Sequence, residues 1–208
     1  TSVVADMLTL SFNPQVEVFA GEAAIICPEE SFDLADATAS NFSVLQWSTT
    51  GDGQFSDPNA LNPIYTPGPT DKINQTVLLQ LQANGLAGCA AANAEVILSM
   101  FPEVVVDMVD SVAICALEDI ELQHFIEVTN ALSYAWSSTG DGSFSSTTEL
   151  NAVYTPGVED VNQGSVIVSL TAFGEGNCEP VTADMTIHIH SLPTITFPED
   201  MNICHGTE

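Results

Sequence analysis

The sequence is almost without positive charge. Lys72 is its one Lys or Arg, and 28 Asp and Glu residues bring the formal net charge to −27. A nucleic-acid binder needs Lys and Arg to displace counterions from phosphate, so that class is excluded. Docking on an anionic membrane surface fails for the same reason. No run of 18 apolar residues occurs, which excludes an apolar spanning helix and direct membrane insertion by one. The start, TSVVADMLTL, lacks the basic n-region of a signal peptide. No C-x-x-C is present, so a zinc ribbon is excluded, and no D-x-[DN]-x-[DN]-G loop supports an EF-hand. Helix signals are scarce, and no Gly/Ser-rich linker interrupts the chain.

What is present is apolar and ordered in pattern. Apolar residues make up 45% of the 208, a globular value, and the acids are dispersed rather than blocked. Such a surface repels its own copies and suits salty or calcium-containing surroundings that screen it.

The organising feature is a repeat. The block Trp47 to Asp71 returns as Trp136 to Asp160, 89 residues later, with 15 of 25 positions identical. Cys27 returns as Cys115 and Cys204, at spacings of 88 and 89, and Cys89 returns as Cys178. Ala5-Asp6-Met7 returns as Ala94-Glu95-Val96 and Ala183-Asp184-Met185. The phase divides the chain into the end of one repeat (1–13), two whole repeats (14–102 and 103–192) and the start of another (193–208). Both ends lie in mid-pattern, so a segment of a longer chain is expected. Closely joined modules imply a stiff array.

The period within each repeat is that of half-buried strands. Val77, Leu79 and Leu81 alternate with Leu78, Gln80 and Gln82, Val166, Val168 and Leu170 with Ile167, Ser169 and Thr171, and Met185, Ile187 and Ile189 with Thr186, His188 and His190. Turns are marked by Gly51-Asp52-Gly53, Pro67-Gly68 and their copies. Short strands in a unit of about 89 residues predict an all-β fold of tandem immunoglobulin-like β-sandwiches, about seven strands each, arranged end to end. Trp47 and Trp136 are expected on a central strand, facing the core. The Gly-Asp-Gly turn is expected to supply positive φ, and Phe55, Phe144, Tyr65 and Tyr154 to complete the core signature.

Five cysteines sit at fixed phases. The simplest pairing is Cys27–Cys89 and Cys115–Cys178, one bridge per repeat, with the partner of Cys204 outside this sequence. Closing a loop of about 60 residues contributes roughly 3–4 kcal/mol in the chain-entropy model. A Cys89–Cys115 staple between neighbours is the rival, and spacing does not decide between them. Either one requires an oxidising, extracellular compartment. No His recurs in phase with the thiols, which argues against a Cys-His nucleophile.

The string C…W-[ST]-x-x-G-D-G-x-F-S…L-N-P-x-Y-T-P-G-x-x-D…G-x-V-x-L-x-L-x-A…C…A-D-M resembles the PKD-like/immunoglobulin-like repeats of very large Bacteroidota surface proteins. These include SprB-like gliding-motility adhesins and other proteins exported by the type IX secretion system. The resemblance covers nearly the whole chain. It implies a cell-surface filament or stalk whose partners are neighbouring repeats, other filament subunits or an adhesive target. The chain departs mildly from the pattern at Gln75, where the second repeat has Gly164, and at Glu95, where it has Asp184.

Several polar groups are candidate sites. Asp52, Asp57 and Asp71 in one repeat, and Asp141, Glu159 and Asp160 in the next, offer hard oxygen ligands for Ca2+, although Asp-Gly is also ordinary turn chemistry. His188 and His190 lie two apart on one strand, half of a metal site or simply a solvated face. Asp110-Ser111-Val112 resembles the short O-glycan acceptor of Bacteroidota, at Ser111. No pair of acids is placed as glycosidase carboxylates, and no enzyme is expected. The sequence therefore predicts a mechanical repeat. A carbohydrate- or protein-binding module, or an accessory domain of a large secreted enzyme, is the alternative.

Overall fold

The computed structural model describes residues 12–86, 89–193 and 195. By their contacts these form two compact units. Over the described residues, one contains those from 12 to 103 with 174–179, and the other those from 104 to 173 with 180–195. The loop 174–179 thus belongs by sequence to the second repeat and by contact to the first unit.

In the first repeat the strands are β1 (Glu17–Phe19), β2 (Ala24–Ile26), β3 (Phe32–Asp33), β4 (Thr38–Ser40), β5 (Phe42–Thr49), β6 (Gln54–Phe55) and β7 (Ile64–Thr66). Helix α1 (Pro69–Asn74) follows, then the long strands β8 (Thr76–Gly85) and β9 (Ala92–Met100). One sheet has the order β2-β9-β8-β5; the facing layer is built from the β1-β4 ladder and the β3-β7-β6 sheet. The second repeat runs β10 (Val105–Met108), β11 (Ser111–Cys115), β12 (Ile120–Glu121), a 3₁₀ turn (Leu122–Phe125), β13 (Ile126–Thr129), β14 (Ser133–Ser138), β15 (Ser143–Phe144) and β16 (Val153–Thr155). It then has helix α2 (Val158–Gln163), β17 (Ser165–Phe173) and β18 (Val181–His190). Its sheets are β11-β18-β17-β14, β10-β13 and β12-β16-β15, the same arrangement element for element. Each repeat is an immunoglobulin-like β-sandwich, and the chain is all-β apart from the short helices.

Alternation fixes which face is buried. Val77, Leu79, Leu81 and Ala83 on β8, and Val96, Leu98 and Met100 on β9, are buried against Val16, Leu34 and Ala37 of the facing layer. Val166, Val168, Leu170, Met185, Ile187 and Ile189 repeat this in the second core. Each fully buried Leu contributes about 1.5–3 kcal/mol through apolar area removed from water.

Three details differ from the sequence expectation. Among the described residues nine strands form each repeat rather than about seven, in part because the first strand is split. Around Gly21, with φ 102°, the chain leaves its antiparallel pairing with β4 and joins β9 in parallel. Trp47 and Trp136 face the core from β5 and β14, which are outer strands of their sheets rather than central ones. The Tyr-Thr-Pro-Gly segment, expected from the sequence to turn the chain toward the longest apolar strand, leads first into a six-residue helix. That helix ends in the left-handed region at Gln75 (φ 59°) and Gly164 (φ 77°). Gln75 bears a steric cost there that glycine avoids.

The parallel register also decides the cysteine pairing. Ile26 pairs with Met100, so Cys27 sits at the C-terminal end of β9, whereas Cys89 precedes its N-terminal end at Ala92. Nine residues at about 3.3 Å each separate those ends by roughly 30 Å. A disulfide needs Cα atoms within about 7 Å. Cys115 pairs with His190 at the far end of β18, and Cys178 lies before its start. The expected bridges Cys27–Cys89 and Cys115–Cys178 are therefore corrected. Cys27 is bonded to Cys178, with Cα atoms 5.4 Å apart and a sequence separation of 151. Cys89 and Cys115 are free thiols, so the rival Cys89–Cys115 staple is not formed either.

Candidate functional site

The repeated block builds one polar site in each sandwich, beneath an aromatic stack. On β5 the indole N–H of Trp47 donates to Leu61 O at 3.3 Å, and its copy Trp136 donates to Glu149 O at 2.9 Å. Phe55 lies between Trp47 and Tyr65, at ring-centroid distances of 5.8 and 4.9 Å; Phe144 lies likewise between Trp136 and Tyr154, at 6.1 and 4.9 Å. Tyr65 and Tyr154 are fully buried, and the stack ends at their hydroxyls.

Beyond each hydroxyl lies a buried carboxylate. Asp71 and Asp160 are each 1% exposed, a burial that Asp tolerates only when its oxygens are fully partnered. Asp71 sits in the first turn of α1. Its Oδ1 accepts the amide of Asp52 at 3.2 Å. Its Oδ2 accepts the amides of Gly53 and Gly68, both at 3.1 Å, and the Tyr65 hydroxyl at 2.6 Å. Asp160 repeats the set with the amides of Asp141 (3.2 Å), Gly142 (3.1 Å) and Gly157 (2.9 Å) and the Tyr154 hydroxyl (2.6 Å). Four donors on one carboxylate compensate for its removal from water.

The turn returns the interaction. The Asp52 carboxylate accepts the amides of Thr70, at 3.0 and 3.1 Å, and of Asp71, at 3.2 Å. Asp141 accepts those of Glu159 (3.1 Å) and Asp160 (3.3 Å). These are the orphan N-terminal amides of a helix, capped by a side chain 18 residues earlier in the chain rather than by the residue before the helix. The Thr70 amide, first among these bonds, holds the Asp52 carboxyl below the usual carboxylate range. Turn and helix are thus locked by a reciprocal pair of carboxylates.

This clasp explains the glycines of the Gly-Asp-Gly turn differently from the sequence expectation. Neither Gly51 nor Gly53 has positive φ. A Cβ at Gly51 would strike the Asp71 carboxylate, and one at Gly53 the Tyr65 ring. Close approach, not left-handed backbone, requires glycine here.

Burial, and then the hydrogen bond to its Asp, push the Tyr65 hydroxyl well above the ordinary tyrosine range and that of Tyr154 up to about 12. In the unfolded chain both ionise near pH 10. Above that pH the unfolded state has lost protons that the fold retains, so stability falls as pH rises from about 10 toward 12. In an alkaline titration the phenolate absorbance of these two tyrosines should appear only together with loss of the strand circular dichroism. Their ionisation near pH 10 with the fold intact would contradict the clasp.

The side chains of the remaining sequence candidates lie apart from the clasp. The Asp57 carboxylate accepts the Asn59 amide at 2.9 Å within its own turn. The Glu159 side chain is exposed, as are His188 and His190 on β18 and Ser111 at the start of β11. Among the described residues no group of three or more His, Cys, Asp or Glu converges as a metal site would require. The acids put forward for Ca2+ are arranged instead as internal acceptors (Asp52, Asp71, Asp141, Asp160) or as surface groups. Lys72 pairs with Glu29 at 2.6 Å, an exposed ion pair of small energetic weight. Cys204 lies outside the described residues.

No family model matches the chain, and no curated protein does. Among solved structures it is similar to human CDH23 EC21-23, at 13% identity over 86% of this chain and 65% of that one, with a TM-score of 0.47. It is similar to the protocadherin gammaB7 EC3-6 cis-dimer structure, at 13% identity over 87% of this chain and 48% of that one, TM-score 0.45. A third likeness is to titin domains z1z2 in complex with telethonin, at 15% identity over 88% of this chain and all of that one, TM-score 0.34. The chain spans about half the length of the protocadherin chains that it matches.

Proposed function

We propose that this chain is a structural repeat segment, a stalk or spacer, of a long extracellular bacterial surface adhesin or filament. The observation that carries the reading is the disulfide from Cys27 to Cys178, which stand in successive repeats of the sequence. A covalent link between successive repeats of the sequence carries tension past the chain between them, which an array under force requires and a catalyst does not. The disulfide supports an oxidising compartment outside the cytoplasm. The quoted motif string supports Bacteroidota surface proteins of the SprB-like, type IX-exported kind as the class, with gliding or attachment as its use. The repeating polar sites support a non-catalytic role, because their carboxylates are already saturated by protein donors.

Small-angle X-ray scattering of the full chain tests this. A compact body of this length has a radius of gyration of about 17 Å. Two sandwiches in an end-to-end array should give about 25 Å in oxidising buffer, and the same value with calcium or with chelator. A value near 17 Å in every condition would overturn the stalk reading. Shortening by chelator alone would restore Ca2+ as the stiffener.

A further inference from the structure

Cys89 and Cys115 are thiols, yet each is the repeat counterpart of a bonded cysteine. Cys115 stands in the phase of Cys27, and Cys89 in the phase of Cys178. The likeness extends to geometry. The Cys27 amide donates to the Glu30 carboxylate at 3.0 Å, and the Glu30 amide donates back to Cys27 O at 3.0 Å. The Cys115 amide donates to the Glu118 carboxylate at 2.8 Å, and the Glu118 amide to Cys115 O at 3.1 Å. The same two-bond turn holds both residues. Each also sits where its sandwich ends, for the Phe101 amide donates to Ile26 O, and the Ala116 amide to His190 O. Cys115 is exposed in that turn. The within-repeat partner is out of reach for all four cysteines, because early and late cysteines lie at opposite ends of the last strand.

We propose that the Cys27–Cys178 bond is one rung of a periodic ladder, in which the early cysteine of each repeat is oxidised onto the late cysteine of the next. Cys115 takes the late cysteine of a following repeat of this kind, and Cys89 takes the early cysteine of a preceding one. Each rung forms from two thiols, which lose two protons and two electrons. The electrons pass to a disulfide of the thiol–disulfide exchange class, which is reduced to two thiols. The sequence carries the phases of both neighbours, in Ala5-Asp6-Met7 and in Cys204. The ladder needs no new surface: each rung reuses the turn already seen at Cys27.

The test is a chain in which residues 104–192 are duplicated in tandem within the otherwise complete protein. It is refolded with oxidised and reduced glutathione, then mapped without reduction after cleavage at Glu. Expected are a Cys27–Cys178 peptide and a peptide joining Cys115 to the copied Cys178, with Cys89, the copied Cys115 and Cys204 alkylated as thiols. Changing the copied Cys178→Ser should return Cys115 to a thiol and leave Cys27–Cys178 intact. Absence of any Cys115–Cys178 peptide beside an intact Cys27–Cys178 bond would overturn the ladder. The unduplicated chain gives a second reading that does not depend on the added repeat. There Cys27–Cys178 should form while Cys89 and Cys115 stay alkylable, and a Cys89–Cys115 or Cys27–Cys89 peptide would overturn the proposal. Connectivity is read here chemically, whereas the stalk reading is tested by shape, so either one can fail without the other.

Discussion

Replacing Asp71 by Asn should destabilise the first sandwich by about 3–5 kcal/mol, more than most single substitutions. Asn keeps the volume but supplies one acceptor and one donor where Asp supplies two charged acceptors. With its oxygen at Oδ2, the new NH2 faces the Asp52 amide; turned over, it faces Gly53, Gly68 and Tyr65. In either orientation a buried donor meets another donor. The remaining bonds lose their charge, and bonds to a charged group contribute about 1.5–3 kcal/mol each, without being additive. Tyr65→Phe removes one donor and keeps the ring, so it should cost only about 1–2 kcal/mol. Urea unfolding followed by indole fluorescence separates the sandwiches, since Trp47 lies in the first core and Trp136 in the second. In a Trp136→Phe background the Trp47 transition should move to lower urea. Asp160→Asn, read through Trp136 in a Trp47→Phe background, should do the same for the second core. A cost below about 1 kcal/mol at both sites would mean that the clasp is incidental to stability.

The second large effect is mechanical and depends on redox state. When the chain is pulled from its two ends, load reaches Cys27, crosses to Cys178 and continues. The 151 residues of sequence separation between them lie outside the load path. Single-molecule extension should therefore show no lengthening from the segment between Cys27 and Cys178 while the bridge is intact; only the flanking residues, β1 and β2 before it and β18 after it, can be drawn out. Reductant, or Cys178→Ser, should release roughly 500 Å of additional contour length, at about 3.3–3.6 Å per residue. Equal extension before and after reduction would show that the bond is not formed. In solution the same bond closes a loop of about 150 residues, worth about 5 kcal/mol in the chain-entropy model.

Much of this architecture was legible in the residues. The doubled block announced two copies of one sandwich. The alternation at Val77, Leu79 and Leu81 told which face would be buried, and Trp47, Phe55 and Tyr65 stand in the core as their spacing implied. The clasp was half legible. Asp52 and Asp71 were visible as recurring acids, but an Asp among turn residues reads as solvated, because sequence does not show a tyrosine hydroxyl and three amides converging on it. The pairing of Tyr six residues before Asp, repeated at Tyr154 and Asp160, was the available signal. Helix α1 was too short to show a 3.6-residue period, though Pro69 at its first position and an acid in its first turn are helix-start chemistry. The bridges were misread for a physical reason. Spacing counts residues along the chain, whereas the pairing depends on the parallel joining of β2 to β9, which sends early and late cysteines to opposite ends. Parallel pairing across more than 70 residues leaves no local trace.

The bond from Cys27 to Cys178 has a further consequence when set beside the scarcity of positive charge. Lys72 is the only residue after which a trypsin-like protease can cut, and it lies between the two bonded cysteines. Hydrolysis of the peptide bond between Lys72 and Ile73 would open the backbone without dividing the molecule, since both pieces remain joined through sulfur. Against that class of enzyme the oxidised chain cannot be severed, and only the reduced chain can fall in two.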